Sequence, residues 1–403
     1  MSEIGLGLTV LSLAIWLGLL VFRGQFWQAN QQLTAQDTEF ELWSSVCVII
    51  PARNEAELLP ITLRSLLIQN YPGSLHLILV DDQSTDGTGN AAQQVAQELN
   101  KTSQIEIIST SPLPPTWTGK LWAMEQGIRH AEKRTSPPDY FLFTDADIEH
   151  DSANLRQLVT KAQQENLDLV SLMVLLRCES FWEQLLIPAF VFFFQKLYPF
   201  PWVNNPNKSI AAAAGGCILI RRKALNQIGG IQVIRQALID DCALAKAVKS
   251  NSQSSQTEIT GRIWLGLTSL TRSLRPYPSL KSIWDMVART AFTQLNYSPF
   301  LLIGTLFGMT LIYLVPPVGA ILGGLTENWL VAIAGLSGWL LMAIAYFPTL
   351  HFYKRSPLLA FCLPIVALLY TLMTLDSALR HWQGRGGAWK GRVYRKRRKT
   401  HVF

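Results

Sequence analysis

Four long apolar segments constrain the fold of this 403-residue chain most strongly. Residues 4–22 contain no charge, and three further segments follow near the other end, at 299–325, 329–350 and 357–379. A helix of about 20 residues crosses a hydrocarbon core about 30 Å thick, which disfavours the alternative of buried core helices. We expect residues 1–23 to be a transmembrane anchor rather than a signal peptide, because no basic residue precedes the apolar run. Residues 299–379 are predicted to be a membrane region with about three hydrophobic segments.

The net charge of +7 belongs to the end of the chain. Nine of the 35 Lys and Arg residues lie in 380–403, which contains no Asp or Glu, so the rest holds 26 basic residues against all 28 acidic ones. A nucleic-acid-binding domain carries its basic surface on the folded part, so no nucleic-acid partner is expected. A basic block beside apolar sequence is typical of a membrane boundary, and we interpret 380–403 as a basic tail.

The charges that flank the apolar segments indicate an orientation. Glu3 precedes the first segment and Arg23 follows it, so the middle of the chain is predicted to be cytoplasmic. The loop at Lys354 and Arg355 also reads as cytoplasmic. A third full crossing near the C-terminal end would then place the basic tail outside, against the same rule. Either one segment does not cross fully or the tail departs from the rule.

Residues 40–298 have the pattern of an α/β domain. Short apolar runs at 46–50, 75–80, 105–109, 140–144 and 167–172 are predicted strands, and 58–69, 88–99 and 121–131 are predicted helices. This alternation favours a mostly parallel, doubly wound sheet, in which ligands bind beyond the carboxyl ends of the strands. The Ser- and Gln-rich residues 250–258 are a predicted surface loop. Residues 181–203 are aromatic-rich and are interpreted as a helix in the membrane interface, with a buried core helix as the alternative.

Three polar motifs directly follow predicted strands and should therefore open on one edge of the sheet. They are Pro51-Ala52-Arg53-Asn54-Glu55, Asp81-Asp82 and Asp145-Ala146-Asp147. Any one could be a turn or a helix cap, but clustered carboxylates repel unless they share a cation. The D-x-D spacing suits a hard divalent cation such as Mg²⁺ or Mn²⁺, which also binds substrate phosphates. A Walker A motif and a G-x-G-x-x-G motif are both missing, which disfavours P-loop and Rossmann nucleotide sites.

These motifs together resemble the inverting family 2 glycosyltransferases with the GT-A fold. The resemblance implies that the donor is bound by Pro51, Arg53, Glu55, Asp81, Asp82, Lys120 and Asp145, and that a metal is held by Asp147 with Asp145. Ile239-Asp240-Asp241-Cys242-Ala243-Leu244 resembles the family's T-E-D-x-x-L element, which implies Asp241 as the general base beside Asp240. Gly215 and Gly216, followed by Arg221-Arg222-Lys223-Ala224-Leu225, resemble its acceptor-side loop. Lys120 could equally be an ordinary exposed lysine.

Further runs are similar to the hopene-associated glycosyltransferases, which are related to ceramide glucosyltransferases. They are Thr118-Gly119-Lys120-Leu121-Trp122-Ala123, Arg177-Cys178-Glu179-Ser180-Phe181-Trp182-Glu183 and Arg385-Gly386-Gly387-Ala388-Trp389-Lys390-Gly391-Arg392. The Q/R-x-x-R-W motif of ceramide-type and processive members is not fully matched here, because its tryptophan is not in register. Arg289 could replace its basic residue on the acceptor side.

The resemblance implies a membrane-bound enzyme that transfers a sugar, with inversion, from a nucleotide donor to a lipid. A UDP-sugar is the expected donor, a hopanoid is a candidate acceptor, and the bacterial inner membrane, with a cytoplasmic catalytic domain, is the expected location. Two alternatives remain at this stage, a processive polysaccharide synthase and a non-catalytic membrane scaffold on a decayed GT-A domain. The missing tryptophan argues against the first, and the intact Asp82, Asp145, Asp147 and Asp241 argue against the second.

Overall fold

The computed structural model describes residues 2–34, 40–251, 261–385, 388–389 and 392–393. The chain divides into two compact units. The α/β unit comprises Asn30–Arg177 and Phe200–Pro276, and the helical unit comprises Met1–Ala29, Cys178–Pro199 and Tyr277–Phe403. The predicted loop at 250–258 and the predicted basic tail at 380–403 lie largely outside the described residues.

Helices and strands alternate along the α/β unit, whereas the helical unit is mainly α-helical. The strands are β1 Val46–Ala52, β2 Leu75–Asp81, β3 Ile105–Ser109, β4 Tyr140–Thr144, β5 Ile148–His150, β6 Leu169–Leu175, β7 Cys217–Arg221, β8 Ile263–Ser273, β9 Ala388–Trp389 and β10 Arg392–Val393. The helices are α1 Ser2–Phe22, α2 Leu59–Leu67, α3 Thr88–Glu98, α4 Gly119–Glu132, α5 Asn154–Gln164, α6 Phe181–Leu197, α7 Phe200–Val203, α8 Arg222–Gln227, α9 Asp240–Asn251, α10 Leu280–Ala288, α11 Ala291–Gln294, α12 Pro299–Met309, α13 Val315–Leu325, α14 Trp329–Phe352 and α15 Leu363–Trp382.

Within the described residues, one eight-stranded sheet forms the centre of the α/β unit, in the order β3-β2-β1-β4-β7-β6-β8-β5. The pairings β3-β2, β2-β1 and β1-β4 are parallel, as the sequence pattern predicted. The pairing β6-β8 is also parallel, and those of β7 and β5 are antiparallel. The parallel strands β1, β2 and β4 bring their carboxyl ends, and so the three polar motifs, to one edge.

The antiparallel direction of β7 divides the predicted acceptor-side loop. Cys217 pairs with Thr144 and Arg221 pairs with Tyr140, so Gly215 and Gly216 lie near the D-x-D edge. The run that begins at Arg221 lies at the opposite edge of the sheet. A sequence resemblance cannot reveal this separation, because the distance between the two ends of β7 depends on strand direction.

The core of the α/β unit lies on both faces of the sheet. β1 is buried over its whole length, and helix α4 packs directly on it. Gly127 allows this close approach, since a Cβ there would lie 2.7 Å from Ile49 Cγ2 and 2.9 Å from Val80 Cγ2. The position of α4 brings its first turn, with Lys120, to the edge that carries the polar motifs.

The helical unit contains four helical stretches that are long and apolar enough to cross a membrane. They are Glu3–Phe22, Pro299–Leu325, Trp329–Phe352 and Pro357–Trp382, which match the four segments predicted from the sequence. Their number and composition are consistent with a membrane protein.

The stretch Pro299–Leu325 contains the proline pair Pro316-Pro317, and the structure shows how the backbone accommodates it. Thr310–Leu314 forms a π-helical turn between α12 and α13, just before Pro316. Because Pro316 has no N–H, it cannot donate to the carbonyl four residues earlier. That carbonyl, Ile312 O, instead accepts a 2.8 Å hydrogen bond from Trp16 Nε1, and Trp16 is fully buried. The helix pair thus satisfies a backbone group that water cannot reach.

The negative charge of Asp376, near the end of the last apolar segment, is also paired with neighbouring side chains. Its Oδ2 accepts hydrogen bonds from Trp284 Nε1 at 2.6 Å and lies 2.7 Å from Arg380 Nε. Arg380 also donates to Asp285 on α10 at 2.7 Å. A charge that close to a membrane segment is therefore held in a network that ties α10 to α15.

Helix α6 is capped and partly buried within its own unit. Ser180 and Glu183 form a capping box at its start. Leu186 and Phe192 are fully buried there, while Phe181 and Leu197 are exposed. That α6 lies in the membrane interface stays a prediction.

Close packing of α13 on α14 yields a test of the helical unit. A Cβ at Gly335 would lie 2.4 Å from Ala320 N and 2.6 Å from Pro316 O, which are backbone atoms. Gly335→Ala should therefore force the two helices apart and lower the thermal unfolding midpoint of the detergent-solubilised protein by several degrees.

Gly324→Ala is the matched control, because a Cβ at Gly324 meets nothing within 4 Å. It should leave the midpoint unchanged or raise it slightly, since alanine favours a helix. Equal midpoints for the two variants would contradict the described packing.

Candidate active site

Hydrogen bonds join the loop that follows β1 to the loop that follows β2. Asn54 and Gln83 adopt left-handed backbone angles, with φ of 52° and 56°, and so turn the chain sharply after β1 and β2. The backbone N–H groups of Asn54 and Glu55 donate to Ser84 Oγ and Thr88 Oγ1, both at 2.9 Å. Ser84 and Thr88 therefore hold the first loop in place.

Asp81 and Asp82 have different environments at the end of β2. Asp81 Oδ1 accepts from the backbone N–H of Ser84 at 2.9 Å. Asp82 is only 1% exposed; its Oδ1 accepts from Thr110 Oγ1 at 3.0 Å, and its Oδ2 lies 3.5 Å from Arg53 Nη1. Arg53 Nη1 also donates to Asp82 O at 2.5 Å. The contacts between Arg53 and Asp82 thus connect the loop after β1 to the loop after β2.

Arg275 joins the D-x-D motif to the first loop. Its Nε donates to Asp147 Oδ2 at 2.6 Å, and its Nη2 donates to both carboxylate oxygens of Glu55, at 2.8 and 3.1 Å. The buried carboxylates of Asp147 and Glu55 are therefore held by one guanidinium, whose planar fork suits two acceptors.

Lys120 joins the D-x-D motif to the start of α9. Its Nζ lies 2.9 Å from Asp145 Oδ1 and 3.2 Å from Asp240 Oδ2. Burial alone would lower the pKa of Lys120, but the carboxylates of Asp145 and Asp240 raise it above its usual value, so the ammonium stays charged. Burial raises the pKa of Asp145, and the neighbouring carboxylate of Asp147 adds to that effect although Lys120 opposes it.

Asp241 lies beside this pair, in the first turn of α9. Its Oδ2 accepts from the backbone N–H of Gly215 at 2.9 Å, and its Oδ1 accepts from Cys242 N at 2.7 Å. Burial, followed by the neighbouring carboxylate of Asp240, raises the pKa of Asp241 to about 6. A carboxyl group tuned in this way can accept a proton near neutral pH.

Lys120, Asp145, Asp240 and Asp241 line a narrow pocket whose other wall is mainly apolar. The remaining lining residues are Pro51, Leu121, Met124, Phe143, Thr144, Gly215, Ile218, Ile231, Ile234 and Leu244. The backbone of Gly215 borders the pocket closely, since a Cβ there would lie 3.4 Å from both Asp241 Oδ2 and Lys120 Nζ.

The charges at this edge of the sheet are unbalanced. Lys120 interacts with the carboxylates of Asp145, Asp240 and Asp241. Arg275 forms ion pairs with those of Glu55 and Asp147. Two positive charges thus lie beside five carboxylates. No group of three or more His, Cys, Asp or Glu side chains in the described residues is arranged to hold a metal by itself. The donor set fits Mg²⁺ or Mn²⁺ bound by two carboxylates and completed by waters and phosphate oxygens, which is the usual mode of these ions.

The sequence-predicted site residues are mostly gathered at this edge. Arg53, Glu55, Asp82, Lys120, Asp145, Asp147, Asp240 and Asp241 are linked by the contacts above, and Pro51 and Gly215 line the pocket. Gly216 lies next to Val174, which a Cβ would approach to 3.1 Å. Arg289 belongs to the helical unit, where it ends α10, and its acceptor-side role stays a prediction.

Several contributors were missed by the sequence interpretation. Arg275 belongs to none of the motifs read from the sequence, and no local pattern indicates Asp147 and Glu55 as its partners. Thr110, which holds Asp82, is an unremarkable threonine after a strand. His150 is buried, with Nε2 lying 3.0 Å from Thr144 Oγ1; burial lowers its pKa to about 3, so it is a neutral residue that supports the end of β4.

The contact between Thr110 and Asp82 can be tested by an isosteric substitution. Thr110→Val removes the hydroxyl that donates to a buried carboxylate oxygen, so the free energy of unfolding should fall by about 1–3 kcal/mol. A lower thermal unfolding midpoint would report this loss.

Thr160→Val is the matched control. The Thr160 hydroxyl is buried and has no hydrogen-bond partner in the part of the chain that the structure describes. Its replacement should therefore leave stability unchanged or raise it. If Thr110→Val were no more destabilising than Thr160→Val, the described contact would not hold Asp82.

Comparisons with known proteins agree with this architecture. Residues 47–229 match the model of the family described as glycosyl transferase family 2. A 159-residue stretch is 29% identical to a protein of Staphylococcus haemolyticus named 4,4'-diaponeurosporenoate glycosyltransferase, and covers 38% of this chain and 39% of the relative. A protein of the same name from Staphylococcus aureus is 27% identical over 139 residues, which cover 34% of this chain and 32% of the relative. The match thus spans about two fifths or less of the curated relatives' length.

A solved structure has a similar fold over almost the whole chain. It is the mannosyltransferase PcManGT from Pyrobaculum calidifontis, in complex with GDP-Man and Mn²⁺, with a TM-score of 0.51 and 16% identity, and the match covers 94% of this chain and 99% of that one. The narrower similarity to the hopene-associated enzymes stays a prediction. Residues 47–229 are therefore a glycosyl transferase family 2 domain, and the α/β unit has the GT-A fold.

Proposed function

We propose that this chain is a membrane-bound inverting glycosyltransferase that moves one sugar from a nucleotide-sugar donor to a lipid hydroxyl. A UDP-sugar is the proposed donor, a hopanoid is a candidate acceptor, and the location is the bacterial inner membrane with the catalytic domain in the cytoplasm. The proposed organisation is an anchor at 1–23, a GT-A domain at 40–298, a membrane region at 299–379 and a basic tail at 380–403.

One observation carries the proposal. The Lys120 ammonium contacts both Asp145 of the D-x-D motif and Asp240 beside Asp241, at 2.9 and 3.2 Å. The carboxylates that suit a metal and the carboxylate that suits a base are therefore held within reach of one cation. A sugar transferase needs this proximity, because donor and acceptor must be aligned for in-line attack.

The donor side is proposed to be formed by the loops after β1 and β2, with Pro51, Arg53, Glu55, Asp81 and Asp82. The Nε of Arg53 is buried and has no hydrogen-bond partner among the described residues. Such a donor costs about 1–3 kcal/mol when unsatisfied, so a ligand acceptor at this point would be favourable. Lys120 adds a cation that a diphosphate would attract.

Asp145 and Asp147 are proposed to hold Mg²⁺ or Mn²⁺ together with the donor phosphates. When bound, the metal neutralises the charge on the departing diphosphate. PcManGT, which shares the fold, is described with GDP-Man and Mn²⁺, and that supports the proposal for this chain.

Asp241 is proposed to take the proton from the acceptor hydroxyl as the new bond forms at the anomeric carbon. The backbone N–H groups of Gly215 and Cys242 fix the orientation of its carboxylate. With one base and no protein nucleophile, a single displacement leads to inversion.

The lipid acceptor is supported by the four apolar helices and by the relatives' name, which refers to a carotenoid-like lipid acid. A hydroxyl is the proposed reacting group, because an additional carboxylate would be repelled by Asp240 and Asp241.

Asp241→Asn tests the base. The substitution removes the proton acceptor but keeps the shape, so transfer should fall by at least about 100-fold while the unfolding midpoint stays close to wild type. The assay follows radiolabel from UDP-glucose or GDP-mannose into extracted membrane lipid. In the wild type the rate should rise with pH through about 6, since Asp241 loses its proton there.

Asp151→Asn is the control, because the Asp151 carboxylate accepts from the backbone N–H of Ala153 at an exposed turn and does not line the pocket. It should retain full activity. Undiminished transfer by Asp241→Asn would exclude Asp241 as the base.

Asp147→Asn tests the metal site without a turnover assay. Mn²⁺ together with UDP-glucose or GDP-mannose should raise the unfolding midpoint of the wild type, because a ligand stabilises the state that binds it. The same addition should protect Asp147→Asn much less. Equal protection of both proteins would place the metal elsewhere.

A further inference from the structure

Arg275 bonds to the carboxylate that is proposed to hold the metal. Its Nε donates to Asp147 Oδ2 at 2.6 Å, and its Nη2 donates to both carboxylate oxygens of Glu55, at 2.8 and 3.1 Å. An oxygen that binds Mg²⁺ lies about 2.1 Å from the ion. The guanidinium and a metal on Asp147 Oδ2 would therefore compete for the same oxygen.

The position of Arg275 follows from the pairing of β5 with β8. Ile148 pairs with Ser273 in an antiparallel register, and Leu274 N donates to Asp147 O at 2.8 Å. These backbone contacts place residue 275 beside Asp147. A substitution of the Arg275 side chain should therefore leave the backbone at this point in place.

Burial differs between the partners of this contact. The side chains of Asp147 and Glu55 are each 10% exposed, whereas that of Arg275 is 32% exposed. If the guanidinium leaves Asp147, it can still pair with Glu55 and meet water. Asp147 without a cation would instead be a buried, unpaired carboxylate, which is costly. Arg275 is thus the partner that can move away when another cation binds Asp147.

The local charges oppose the binding of a metal alone. Lys120 lies 2.9 Å from Asp145 Oδ1, so each carboxylate of the D-x-D motif is paired with a cationic side chain. A divalent ion on the other oxygen of Asp147 would still lie close to the Arg275 guanidinium, and like charges at short range repel. The excess of carboxylates at this edge attracts a metal, but the guanidinium lowers the affinity. The negative charge of a donor diphosphate would offset that repulsion.

We propose that Arg275 competes with the metal for Asp147, so that the D-x-D motif binds a metal tightly only together with the nucleotide-sugar donor. This inference rests on the proposed function and adds an order of binding to it. Arg275 releases Asp147 when the donor diphosphate arrives with its cation, and Glu55 remains its partner. Arg275 is thus a positioning residue that acts through Asp147.

The alternative is that Arg275 only orients Asp147 as a metal ligand. Side chains that hold a metal ligand in place strengthen metal binding, and their loss weakens it. The two roles therefore predict opposite changes in metal affinity when the guanidinium is removed.

Arg275→Gln in the full-length, detergent-solubilised protein tests the competition. The substitution removes a positive charge beside Asp147 and Glu55, so the affinity for Mn²⁺ alone should rise about tenfold. Electron paramagnetic resonance measures the free Mn²⁺ that remains, with no nucleotide sugar present. Adding Asp147→Asn to the same protein should cancel the gain, which would assign the extra affinity to Asp147.

Arg272→Gln is the matched control, because it also removes one positive charge near the end of β8. Arg272 pairs with Glu149, outside the D-x-D motif, and its side chain is 64% exposed. It should leave the affinity for Mn²⁺ unchanged, since water and salt screen an exposed charge.

Unchanged or weaker binding of Mn²⁺ by Arg275→Gln would overturn the inference. A measurement on the wild type keeps the test decisive if Arg275→Gln does not fold, as judged by its unfolding midpoint. Mn²⁺ alone should raise the wild-type midpoint much less than Mn²⁺ with UDP-glucose or GDP-mannose. Equal protection by Mn²⁺ with and without these donors would also overturn it.

The same measurements separate this inference from the proposed function. No protection of the wild type by Mn²⁺ with either nucleotide sugar would count against the proposed function. Protection of the wild type, together with an Arg275→Gln protein that binds Mn²⁺ no more tightly, would count against this inference alone.

Discussion

The shared ammonium of Lys120 is the interaction on which the proposed site depends. It lies 2.9 Å from Asp145 and 3.2 Å from Asp240, residues that come from different strands and helices of the same unit. Without a cation there, the carboxylates of Asp145, Asp240 and Asp241 would repel one another, and burial would make their ionised forms costly. Lys120 and Arg275 do not balance all five carboxylates at this edge, so the site retains an affinity for further positive charge. A divalent metal beside Asp145 and Asp147 would supply that positive charge, and it would also bind the donor diphosphate.

Much of the α/β fold could be predicted from the sequence, because its signals are local. The runs at 46–50, 75–80, 105–109 and 140–144 became β1 to β4 within two residues, and the carboxyl-end rule brought their polar motifs together. The strands β5, β7 and β8 were not predicted. β5 is three residues long, and β7 and β8 lie C-terminal to the alternating runs from which the other strands were predicted. The opposite direction of β7, which moves Arg221 away from Gly215, depends on tertiary pairing and has no local signal.

The residue types of the site could be predicted from the sequence, but the contacts between those residues could not. A carboxylate after a strand can be recognised from the sequence, whereas the pairing of Arg275 with Glu55 joins residues 220 positions apart. The roles of Ser84 and Thr88 in holding the first loop, and of Thr110 in holding Asp82, are likewise long-range hydrogen bonds. The same limit applies in the helical unit. Its four apolar stretches were evident from length and composition, but the capture of Ile312 O by Trp16 follows from a proline that frees a carbonyl nearly 300 residues away.

A structure determined with Mn²⁺ and a nucleotide sugar, using the anomalous scattering of manganese, tests the central claim most directly. The account predicts one anomalous peak beside the carboxylates of Asp145 and Asp147, with the donor diphosphate on the same ion and Asp241 on the acceptor side of the sugar. A peak at a different group of residues, or a bound donor with no manganese near Asp145 and Asp147, would contradict it.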